Sequence, residues 1–166
     1  MWAIVTTFSG ARFPGRAGII KGKTLPKDID PQEVRQLKLF SDLSAEQWDL
    51  LLPMLIRTRV IEGEELIRQG SRADWLFVVL KGHFMIHRND GRCITVNKKG
   101  DVLGWYSAVS PHRYTANVTA LTDGLVLCVN AEKLRALLHD APQLGEALLK
   151  RIRENIADRH SMGLSK

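Results

Sequence analysis

The sequence predicts an α+β domain that is mainly β, a sandwich or barrel of short strands flanked by helices. Three observations predict it. From Arg57 to Asn130, short segments rich in Val, Ile, Phe and Thr are broken by Gly63, Gly70, Gly82, Gly91, Gly100, Gly104 and Gly124, the punctuation of short strands and tight corners. On either side of this region the apolar residues switch to three- and four-residue spacing, the period of a helix. The length of 166 residues, with 45% apolar and 25% charged side chains, suits one packed domain and excludes two large domains or disorder throughout.

In order along the chain, residues 1–30 read as a basic N-terminal arm, in which Trp2, Ile4, Phe8 and Phe13 are scattered without a sustained period. A domain is expected over 31–160. Ser44 can cap a helix with Glu46 and Gln47 in its first turn and Trp48, Leu51, Leu52 and Leu55 along its apolar face. The β-roll is expected over about 57–130. Within it Phe84 and Ile86 alternate with polar residues before Asn89-Asp90-Gly91, and Ile94 and Val96 alternate after it, which predicts an antiparallel hairpin. After Asn130, Leu134, Leu137 and Leu138 restore helical spacing. Asp140 and Pro142 then mark the start of a C-terminal helix over about 141–160, whose Leu144, Leu148, Ile152 and Ile156 form a ridge, followed by a tail over 161–166.

The formal charge of +6 is unevenly spread. Residues 1–27 carry Arg12, Arg16, Lys21, Lys23 and Lys27 and no acid, and residues 150–166 add a net +3, so that the body from 28 to 149 is −2. The basic character therefore belongs to the arm and the last helix. The arm reads as a flexible extension, an organelle transit peptide or a segment that orders against a partner. A cytoplasmic location is expected, or an organelle if the arm is a transit peptide. Two cysteines, Cys93 and Cys128, cannot build a disulfide framework or a four-cysteine metal site, which fits a reducing compartment. No apolar run approaches the roughly 20 residues of a membrane helix, so no membrane insertion is expected.

Several segments together resemble the cyclic nucleotide-binding domain of the CRP/FNR and protein-kinase regulatory families. They are Leu39-Phe40-Ser41-Asp42-Leu43-Ser44, the run Val60 to Gly70, the run Ala73 to Gly82, Gly100-Asp101-Val102-Leu103-Gly104 and Ala120-Leu121-Thr122-Asp123. The resemblance covers roughly residues 37–160. It implies a double-stranded β-helix, or jelly roll, with N-terminal helices and a C-terminal helix. It also implies a phosphate-binding cassette, a short helix inserted between two strands. In the family, backbone N–H groups and an arginine of the cassette hold a cyclic phosphate, and a glutamate just after the glycine accepts the ribose hydroxyl.

The chain departs from that pattern at both side chains. Trp105 follows Gly104 where the glutamate belongs, and a tryptophan cannot accept that hydrogen bond. Counted from either end of the cassette, the arginine position falls on Tyr114, with Arg113 one residue early. Neighbouring side chains of an extended segment face opposite ways, so a Tyr114 that faces the pocket turns Arg113 outward. A rearranged Ser107–His112 loop would instead bring Arg113 inward and leave a genuine cyclic-nucleotide sensor. The candidate pocket residues are Gly104, Trp105, Tyr106, Ser107, Arg113, Tyr114 and Thr115. The three aromatic rings either wall a repurposed ligand pocket or fill it as core.

No catalytic motif is present, so an enzyme is not expected. His83 and His87 are four apart, with Cys93 across the predicted turn, and no third and fourth ligand lie at convincing spacing, so no metal or other cofactor is expected. In the family the last helix dimerises and leads into a DNA-reading domain. Here the Leu144, Leu148, Ile152 and Ile156 ridge either forms a homodimer or packs on its own roll. Six residues after His160 are too few for a helix-turn-helix, so direct DNA binding is not expected. The reading is a stand-alone sensory module with a degenerate cassette that takes a small-molecule ligand. The alternative is a non-enzymatic interaction subunit that docks a protein partner through its basic arm.

Overall fold

Six consecutive apolar residues, Trp75 to Leu80, lie in one strand and are all buried, because both faces of its sheet are covered. Trp75, Phe77 and Val79 pack inside the roll with Phe84, Val96, Val118 and Val126. Leu76, Val78 and Leu80 pack on the other face with Trp48, Leu51, Leu144, Leu148 and Ile152 of the helices. One strand thus serves two cores, and its uninterrupted hydrophobicity follows from that position.

A computed structural model describes residues 29–163, with side chains described as far as Arg159. The eight strands are β1 (Ile56–Val60), β2 (Glu65–Ile67), β3 (Trp75–Lys81), β4 (Phe84–His87), β5 (Cys93–Val96), β6 (Val102–Leu103), β7 (Asn117–Ala120) and β8 (Gly124–Asn130). They form two antiparallel four-stranded sheets, ordered β1-β8-β3-β6 and β2-β7-β4-β5. This is the jelly roll with flanking helices that the sequence predicts. The expected hairpin is β4–β5, with Phe84 opposite Val96 and Ile86 opposite Ile94, and Gly91 takes a φ of +91° in its turn.

The helices begin where short polar side chains can satisfy their first N–H groups. Helix α1 (Pro31–Arg35) follows Asp30, whose carboxylate accepts from the Gln32 N–H at 2.9 Å. Helix α2 (Ala45–Leu51) opens on a capping box, with Ser44 Oγ accepting from the Gln47 N–H and Gln47 Oε1 from the Ser44 N–H. It passes into a 3₁₀ turn at Leu52–Met54 around Pro53. Helix α3 (Ala131–Asp140) is capped by Asn130 and α4 (Pro142–Gly163) starts on proline.

The ridge of α4 has its partner within the chain. Leu144, Leu148 and Ile152 are buried against the sheet and the other helices, and Ile156 is partly buried beside them. Three of the four residues of the ridge are therefore buried within the chain, the arrangement of the second alternative, packing on its own roll. A four-residue period reports an apolar face, and the nearest apolar surface to this one is the outer face of β3 and β8. Farther along α4, Asn155 accepts from the Val102 N–H at 3.0 Å and Lys38 pairs with Asp158 at 3.2 Å. Arg151 pairs with Asp42. The basic arm before residue 29 and the tail beyond Gly163 lie outside the described residues, while Ser161 to Gly163 continue α4. No described helix is long and apolar enough to cross a membrane.

Candidate functional site

Between β6 and β7 the chain leaves the sheet at Gly104 and makes one 3₁₀ turn, Trp105–Ser107. Gly104 takes a φ of +74°, and a Cβ there would lie 2.9 Å from the Trp75 carbonyl oxygen and 3.0 Å from Ile67 Cδ1 and the Tyr114 ring. Only glycine lets backbone, strand and ring approach this closely. The returning segment is zipped to the β2–β3 connection. The Ala73 N–H donates to the His112 carbonyl at 2.9 Å, the Tyr114 N–H to the Ser71 carbonyl at 3.0 Å, and the Gly70 N–H to the Tyr114 carbonyl at 2.8 Å.

That pairing fixes which way neighbouring side chains turn. Tyr114 goes inward and is 7% exposed. Its hydroxyl donates to the Trp75 carbonyl at 2.7 Å and accepts from the Trp75 N–H at 3.0 Å. Burial pushes the phenol well above its usual pKa, so it stays neutral. Arg113 goes outward, is exposed, and donates from Nη1 to the Gly70 carbonyl at 2.9 Å.

Beneath the turn lies a cavity of about 230 Å³, lined by Gly104, Trp105, Tyr106, Tyr114 and Thr115 among the expected residues. Ile67, Ile86 and Val118 form apolar wall on the sheet side. The Trp105 and Tyr106 rings lie 4.2 Å apart, tilted by 39°, and both are only partly buried. Two expected pocket residues lie elsewhere. Arg113 is outside because of the strand-like alternation just described. Ser107 is fully buried with its carbonyl accepting from Arg135 at 2.9 Å, because the 3₁₀ turn carries it toward α3 instead of the cavity.

The cyclic nucleotide-binding domain family profile matches residues 57–141, half of the chain. The chain belongs to the cyclic nucleotide-binding domain family. An uncharacterised NTE family protein of Mycobacterium tuberculosis is 27% identical over 117 residues, 70% of this chain and 20% of that protein. The cAMP-dependent protein kinase type II regulatory subunit of Drosophila melanogaster is 28% identical over 107 residues, 64% of this chain and 28% of that protein. The chain thus spans less than a third of the length of these relatives. A Geobacter metallireducens structure named for cyclic nucleotide binding shares the fold, with a TM-score of 0.74 at 23% identity over 79% of this chain and 98% of that one.

In this cyclic nucleotide-binding domain, three cavity residues escape a motif-based reading. Arg88 and Arg92 flank the β4–β5 turn, and Arg159 reaches the cavity from α4 beside Ile156. The signal for the first two is the pair of arginines set symmetrically about Asn89-Asp90-Gly91. For Arg159 it is its place three residues after the last member of the α4 ridge. A polar clasp positions the hairpin: Asn117 accepts from the Gln69 N–H at 2.8 Å and donates to Asn89 at 3.0 Å. Cys93 is free, exposed and at the cavity wall, whereas Cys128 is buried, which pushes its thiol up to about 12. Among the described residues no cluster of His, Cys, Asp and Glu could hold a metal ion.

Proposed function

We propose that this domain is a regulatory ligand-binding module whose cassette no longer grips a cyclic phosphate. The observation that carries the reading is the pair Arg113 and Tyr114. The cation is turned to the Gly70 carbonyl, and the side chain in its place is a neutral phenol tied to the Trp75 backbone. Trp105 supplies no acceptor where the family uses a glutamate. Each lost contact removes about 1.5 to 3 kcal/mol, so cyclic-nucleotide affinity falls by about two to four orders of magnitude. The cavity persists beside these rings, so the site is kept open for a different small ligand. Its volume is below the ~300 Å³ typical of drug-sized sites, which favours a compact one.

A ligand there touches α4 directly, because Ile156 and Arg159 line the same space as Trp105 and Tyr106. Filling the cavity shifts the balance between positions of α4 on the roll, and that shift is the signal. Thermal unfolding with cAMP or cGMP at about 1 mM tests the cassette claim. A ligand at a hundred times its Kd adds about 2.7 kcal/mol. For a domain of this size that raises Tm by about 5 to 10 °C. No shift is expected, and one of that size would contradict the reading.

A further inference from the structure

Among the described residues, the charged side chains lining the cavity are three arginines, and no carboxylate lines it. Arg88 and Arg92 belong to the β4–β5 hairpin and Arg159 to α4, so all three come from outside the Gly104–Thr115 segment. Arg88 and Arg92 come from the two sides of the β4–β5 turn and meet on one oxygen of Asp90, at 3.3 and 2.5 Å. The Arg92 hydrogen bonds hold the Asp90 carboxyl down to about 2, so it stays charged and offsets one of the two. Arg159 donates from Nη2 to the Val102 carbonyl at 2.5 Å and to Asn155 at 3.2 Å, both neutral acceptors. Its Nε is buried with no hydrogen-bond partner among the described residues. Asp101, outside the lining, is the acid whose charge acts on it. Trp105 and Tyr106 line the same cavity, with Ile67, Ile86 and Val118 as its apolar wall.

The cations of this cavity thus come from the β4–β5 hairpin and α4 and not from the cassette segment. We infer that the site takes an aromatic carboxylate, its charge toward Arg88, Arg92 and Arg159 and its ring against Trp105 and Tyr106. The inference rests on the ligand-binding reading above. A planar carboxylate matches the guanidinium fork, and two to three such forks lining an apolar cavity bind an anion more strongly than a neutral isostere.

The probes are 2-naphthoate, its neutral amide 2-naphthamide, and cAMP, each titrated into the full chain by calorimetry. Modification of Cys93 by N-ethylmaleimide, an uncharged reagent, reports occupancy of the cavity independently. Naphthoate is expected to bind saturably, at least tenfold more tightly than the amide, and to slow Cys93 modification. Arg88→Gln with Arg92→Gln, both exposed positions, is expected to weaken naphthoate at least tenfold and leave the amide unaffected. Equal binding of acid and amide, or naphthoate binding that ignores the arginine substitutions, overturns the inference and leaves the ligand-binding reading standing. So does failure of naphthoate to bind while the amide protects Cys93. Absence of binding and of protection with all three probes overturns the inference as well. Tight cAMP binding strikes instead at the loss of the cassette grip.

Discussion

Tyr114 does three jobs that an arginine in its place would not combine. Its ring packs against Gly104, its hydroxyl completes the hydrogen bonding of Trp75 at the start of β3, and it lines the cavity. Tyr114→Phe removes one donor and one acceptor from a buried strand end while keeping the ring. The expected loss is about 1 to 3 kcal/mol in urea unfolding, the cost of leaving buried backbone groups unpaired. A loss under ~0.5 kcal/mol would mean that the hydroxyl contacts carry no net energy. The one-residue offset between Arg113 and Tyr114 was legible in the sequence, because alternation along an extended segment needs no tertiary information. The roles of Arg88, Arg92 and Arg159 were not, since they meet only after a hairpin and a helix some 70 residues apart are brought to one cavity.

At the level of elements, α4 is both core and cavity wall. Its first half buries Leu144, Leu148 and Ile152, and its second half presents Ile156 and Arg159 to the ligand space. Leu144, wholly buried, should cost about 2 to 5 kcal/mol when replaced by alanine, read as a lower urea midpoint that does not depend on protein concentration. A midpoint loss that vanished at high concentration would point to an intermolecular role for the ridge. Periodicity showed that this face must be covered and could not show by what. The capped starts of α2 and α3 and the β4–β5 register were legible because each depends on residues within a few positions of one another. The pairing of β8 with both β1 and β3 joins distant segments, and no local residue pattern marks it.

Across the whole molecule, two acids are buried neutral in the roll. The Cys128 thiol is pushed from 9.0 to about 12 by burial, and the Tyr114 phenol is raised for the same reason. For an acid whose folded pKa is raised, the unfolded chain loses its proton first. The stabilising effect is full below about pH 9 and is lost as pH rises toward 12, at a slope of up to about 1.4 kcal/mol per pH unit for each group. Urea unfolding at about pH 8 and about pH 10.5 should show this fall, and Cys128→Ala should flatten it. An unchanged slope in the variant would assign the alkaline loss to other groups. The same burial leaves Cys93 as the thiol that responds to a neutral alkylating reagent, which makes the cavity readable in solution.

The domain as a whole holds a jelly roll of its family around a pocket whose arginines come from the β4–β5 hairpin and α4. Calorimetric titration of cAMP into the full chain tests the loss of the cassette grip most directly. The account predicts no saturable heat at micromolar ligand. Stoichiometric binding with a Kd of about 10 μM or tighter would contradict it, because that affinity corresponds to roughly −7 kcal/mol and requires the phosphate contacts that Tyr114 and the outward Arg113 do not supply.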